Sequence, residues 1–81
     1  MTDKTTHLYD LAEFDQSLVE KILGEVYDSL KERGYDPINQ LTGYLMSGDP
    51  GYISSYQDAR NKIVSIDRSK IIEVLLRKGL S

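Results

Sequence analysis

Both prolines of this 81-residue chain follow an aspartate, at Asp36-Pro37 and Asp49-Pro50, and glycines flank both pairs at Gly34, Gly48 and Gly51. No other feature restricts the fold as strongly. Proline fixes φ and lacks an N–H, so it suits the first position of a helix and not the interior. An aspartate in front of it can accept hydrogen bonds from the amides of the first turn. Glycine takes the left-handed conformation that ends a helix at little cost. The two pairs therefore open helical segments and the glycines close them. One helix is expected from Asp36-Pro37 to Ser47-Gly48, with Ile38, Leu41, Tyr44 and Leu45 inward, and then a single turn over Pro50–Ile53. The stretch "GYDPINQLTGYLMSGDPGYISSY", residues 34–56, holds four of the six glycines and four of the six tyrosines. Such a concentration marks either a catalytic loop or the corners of the fold, and the local signals favour corners.

Around that stretch the pattern is helical. Leu18, Ile22, Val26 and Leu30 recur every four residues with Val19, Leu23 and Tyr27 beside them, an apolar stripe at helical period. Asp15 is a candidate cap for this first helix, and Arg33-Gly34 a basic last turn followed by a stop. After the corner, Ser55 and Asp58 resemble a capping box. Ala59, Ile63 and Ile66 share one face of a third helix, with Arg60, Asn61 and Lys62 off it. Asp67 is placed to cap a fourth helix with Ile71, Ile72, Leu75 and Leu76 inward and Gly79 at its end. Arg68-Ser69-Lys70 holds no strong breaker, so the last two helices are nearly continuous. The β-branched runs "KIVSI" and "KIIEVLL" leave a strand reading open beside the helical one. Residues 1–13 show no helical period and are expected to be a flexible tail, with residues 14–81 forming one helical domain.

Several kinds of chemistry lack their residues. There is no cysteine and one histidine, His7, so neither a disulfide framework nor a zinc site is expected. In "SGDPG", Ser47 and Asp49 would need His7 to fold back before they resembled a nucleophile with its base. A phosphate loop needs Gly-Lys-Ser/Thr entering a helix, whereas this segment carries the anion Asp49. No alternating oxygen ligands of a calcium loop occur. No catalytic residue, cofactor or metal is therefore assigned. An apolar run of the roughly 18 residues that span a membrane is absent, and the expectation is a soluble, cytoplasmic protein without membrane insertion.

The net charge of −3 conceals an asymmetry: residues 1–56 carry four basic and ten acidic side chains, residues 57–81 six basic and three acidic. A uniformly basic face for nucleic acid is missing. A helix-turn-helix reading of the second and third helices stays as the alternative, although the recognition helix would begin "SSYQDARNK". A regulatory interaction module fits better. The tail offers Thr2, Thr5 and Thr6, and a phosphate would add about −1.5 to −2 charges to a segment already at −3 over residues 1–15. The basic C-terminal part, Arg60 and Arg68 foremost, is the candidate sink for that charge.

The runs "GYDPINQLTGYLMSGDPGYI", "DARNKI" and "DRSKIIEVLL" closely resemble the IreB/ReoM family of small cytoplasmic proteins of Gram-positive bacteria, and the resemblance covers roughly residues 3–78. It implies a helical, dimeric, non-enzymatic protein. Members are substrates of serine/threonine kinases with extracellular PASTA domains, are reset by a cognate phosphatase, and control peptidoglycan synthesis and tolerance of cell-wall antibiotics. In one branch the unphosphorylated protein promotes Clp-protease degradation of the enolpyruvyl transferase that starts the pathway. By position, the family's Asp-x-Thr falls on Asp3-Lys4-Thr5, which makes Thr5 the favoured phosphosite and Thr6 the second. The family's basic positions match at Arg60 and Arg68. Ser55 and Val64 stand where members carry arginine, so a shifted partner-binding set with Lys62 and Lys70 is included. The expected fold is all-α: a compact homodimeric bundle of four main helices plus a short helical turn, with a flexible N-terminal tail.

Overall fold

The computed structural model describes the backbone of residues 4–81 and the side chains of residues 16–81. Four α-helices follow in order: α1 over Lys4–Glu32, α2 over Pro37–Ser47, α3 over Ala59–Val64 and α4 over Arg68–Leu80. Two 3-10 turns, Pro50–Tyr52 and Tyr56–Asp58, sit between α2 and α3. The fold is all-α, as expected, and no strand occurs among the described residues. The domain measures 51 × 25 × 21 Å.

α1 begins at Lys4 rather than at Asp15. Residues 4–14 contain neither glycine nor proline, so nothing halts a helix that propagates back from the apolar stripe. Of the expected tail, residues 1–3 lie outside the described backbone and the remainder outside the described side chains. The other end of α1 is sharp. Gly34 has φ +88°; its N–H donates to the Lys31 carbonyl at 3.0 Å and the Tyr35 N–H to the Leu30 carbonyl at 3.0 Å. That pair of bonds satisfies two carbonyls that the helix itself leaves unpartnered.

Both Asp-Pro signals act as expected. Asp36 accepts from the Asn39 N–H at 3.2 Å, with Pro37 opening α2. Asp49 accepts from the Gly51 N–H at 2.8 Å, and the turn closes at Tyr52, one residue before the expected Ile53. Gly48, at φ +76°, ends α2 and donates to the Tyr44 carbonyl at 2.7 Å. Gly43 serves packing instead, because a Cβ there would fall 2.7 Å from Cε1 of Tyr52. Its missing side chain lets the Tyr52 ring lie on α2, which folds the corner back on itself.

The capping box at Ser55 does not form, and neither Ser55 nor Asp58 makes a side-chain cap bond. Gln57 and Asp58 instead take left-handed backbone, φ +50° and +64°. A buried hydroxyl gives the reason. Ser29 of α1 donates to Gln57 Oε1 at 2.7 Å, and leaving that hydroxyl unpartnered would cost about 1–3 kcal/mol. Asn61 Nδ2 donates to Asp58 Oδ1 at 2.8 Å and holds the second left-handed residue.

The core joins Val19, Val26 and Leu30 of α1 to Tyr44, Ile53, Ala59, Ile63, Ile71 and Val74. Ile22, Leu23, Leu41, Leu45 and Ile66 pack around it. Full burial of side chains such as Leu30, Ile53 and Ile63 contributes about 1.5–3 kcal/mol each. The expected stripe holds for most of α1, but Leu18 and Tyr27 are exposed, and so is Ile38 of α2, which was expected inward. The last helices depart further. Ser65–Asp67 breaks them apart, Gly79 lies inside α4, and Ile72, Leu75 and Leu76 are exposed while Ile71 and Val74 are buried.

Candidate functional site

The two arginines singled out from the sequence each bond to a backbone carbonyl of the segment that turns from α2 toward α3. Arg60, on α3 and half-buried, donates from Nε to the Ile53 carbonyl at 2.8 Å. Arg68, the first residue of α4, donates from Nη1 to the Leu45 carbonyl at 3.0 Å. A Cβ on Gly48 would fall 2.8 Å from the Arg68 guanidinium carbon, so glycine leaves the space in which that group lies. The last carbonyls of a helix carry partial negative charge, and a cation across them is favourable. Both arginines thus close the turn between α2 and α3. Arg68 remains exposed, and a guanidinium has further N–H donors for an outside acceptor.

The lysines go elsewhere. Lys62 lies 3.4 Å from Glu25 of α1, and Lys70 3.8 Å from Glu73 on its own helix. Glu73 also accepts from Arg77 Nε at 3.3 Å and Nη2 at 2.9 Å. Those hydrogen bonds, followed by the positive charges of Lys70 and Arg77, hold its carboxyl below the usual range.

The side chains of Thr5 and Thr6 lie outside the described residues. The "SGDPG" groups are occupied with local structure. Ser47 Oγ donates to the Gly43 carbonyl at 2.7 Å and accepts from the Asp49 N–H at 3.0 Å. Among the described residues no group of three or more His, Cys, Asp or Glu side chains could hold a metal ion. No described helix is long and apolar enough to cross a membrane. As a would-be recognition helix, α3 is short: six residues, with Ala59 and Ile63 buried and Arg60 bonded to Ile53.

One surface had no counterpart among the sequence expectations. A groove of about 410 Å³ runs between α1, α2 and α4, lined by Leu23, Gly24, Leu41 and Leu45 and edged by Glu20 and Lys78. Gly24 has no neighbouring atom within 4 Å of where a Cβ would stand. A lone glycine inside an apolar helical stripe was the available signal, since such a residue costs about 1 kcal/mol relative to alanine.

Helices that hold their own corners, an exposed cation at one corner and an apolar groove define a small all-α domain with open surfaces. The family model described as IreB regulatory phosphoprotein matches residues 3–81. The chain belongs to that family, and is a member of a group of regulatory phosphoproteins.

Proposed function

We propose that this protein is a non-enzymatic, cytoplasmic regulator of peptidoglycan synthesis and cell-wall antibiotic tolerance, switched by phosphorylation of Thr5, with Thr6 as the second site. The family match over residues 3–81 carries this reading. A PASTA-domain serine/threonine kinase adds the phosphate and its cognate phosphatase removes it. The body works as a homodimer and influences Clp-dependent proteolysis of the UDP-N-acetylglucosamine enolpyruvyl transferase. Arg60, Arg68 and Lys62 belong to the face that meets the protease or its client. The exposure of Arg68 beside the corner supports that placement. The exposed apolar residues Ile72, Leu75, Leu76 and Leu80 on α4 support a second copy as a partner.

Incubation with the cognate kinase, followed by site mapping with mass spectrometry, tests the switch. Phosphate is expected on Thr5, with Thr5→Ala losing most of the incorporation. An absence of phosphate anywhere in residues 2–6 would sink the proposal. In cells, Thr5→Ala is expected to change the level of the transferase, and an unchanged level would favour a purely structural subunit.

A further inference from the structure

α4 is anchored by few buried side chains. Of its thirteen residues only Ile71 and Val74 are buried. Ser65–Asp67 separates it from α3, and Asp67 there is extended at ψ 135° without a side-chain cap bond. Two polar contacts hold its ends. Arg68 Nη1 donates to the Leu45 carbonyl of α2 at 3.0 Å, and Lys78 Nζ lies 2.6 Å from Glu20 Oε1 of α1. Between those contacts Ile71 and Val74 pack into the core, while Val74, Leu75 and Lys78 also border the groove of about 410 Å³. The remaining core is largely independent of it, because Val26, Leu30, Tyr44, Ile53, Ala59 and Ile63 come from α1 to α3 and the corner. Segments with few buried apolar side chains and exposed polar tethers open at lower free energy than the global transition.

We propose that α4 is a latched arm. It opens as a unit about Ser65–Asp67, with Arg68–Leu45 and Lys78–Glu20 as its two latches. Opening uncovers Ile71 and Val74 on the arm and removes one wall of the groove from Leu23 and Leu45 of the body. Both latches use charged side chains that water can also satisfy, so each makes a small contribution and each is sensitive to salt. The inference stands on α4 alone and does not depend on phosphorylation or on a partner.

Hydrogen–deuterium exchange of the full chain tests it, read over about a hundredfold dilution so that the monomer is observed. Amides of residues 70–81 are expected to exchange at least about tenfold faster than those of residues 22–32. Arg68→Gln and Glu20→Gln should each speed residues 70–81 by about twofold to fivefold, and together by about tenfold, without changing residues 22–32. Lys62→Gln, which breaks only the Glu25 contact, should leave residues 70–81 unchanged. Equal rates for both segments in the wild type overturn the proposal. So do latch variants that leave residues 70–81 unaltered or accelerate both segments together.

Discussion

Gly48 meets two demands at one position. Its φ of +76° lies where L-residues are strained, and the Arg68 guanidinium occupies the place of a side chain. Gly34 at φ +88° meets only the first, with nothing within 4 Å. The left-handed conformation costs a residue with a Cβ about 1–2 kcal/mol. Gly34→Ala is therefore expected to lose about that amount in urea unfolding, and Gly48→Ala more. The excess should vanish in an Arg68→Ala background; equal losses for the two glycines would show that the guanidinium moves aside freely. Residues of this kind were partly legible in the sequence. Asp36 and Asp49 find their acceptor roles within three residues, a distance over which residue type alone carries the geometry. Arg60 and Arg68 find carbonyls 7 and 23 residues away. Sequence marks them as cations and leaves open which backbone oxygen they meet. The left-handed turn at Gln57 and Asp58 was equally hidden, because its cause is the buried Ser29 hydroxyl 28 positions earlier.

Among the elements, both ends of α2 were readable, since its cap and its stop are local, but Ile38, expected inward, is exposed. α4 was recognised as a helix, but its inner face was misassigned. Ile71, Ile72, Val74, Leu75, Leu76 and Leu80 cover so much of its circumference that periodicity alone selects no face. The packing of α1 selects Ile71 and Val74. Charge on the outer side of α4 makes it sensitive to acid. The Glu73 carboxyl is lowered by the Arg77 hydrogen bonds and by Lys70, so it favours the folded helix when ionised. That contribution is present above the ordinary glutamate value of about 4.3 and is lost as pH falls through the lowered value in the folded state. Helicity at residues 70–80, followed by amide chemical shifts, is expected to fall on acidification in that range. Glu73→Gln should remove this component at every pH, and an identical acid profile in that variant would exclude Glu73 as its source.

At the scale of the whole molecule, a chain of 9.2 kDa buries a small core and gains by sharing apolar surface with a second copy. Sedimentation at micromolar concentration is expected to give a mass near twice that of the chain. Leu76→Glu should shift it toward the single-chain value with helicity retained, and a monomer in the wild type would refute the homodimer. Overall architecture was the most legible level, because helical period, two Asp-Pro starts and glycine stops agree with one another. The length of α1 was not, although Leu8, Leu11 and Phe14 precede Asp15 at spacings of three that continue the apolar stripe toward the N-terminus. That length has an electrostatic consequence. At about 1.5 Å per residue, Thr5 stands about 21 Å along the helix before Val19, the first of the described core residues. Physiological salt screens exposed charges over about 8 Å. A phosphate on Thr5 would therefore be almost invisible, through solvent, to the cations behind that core. Its field would reach only what comes to the far end of α1, making the phosphate a message addressed to another chain rather than to its own.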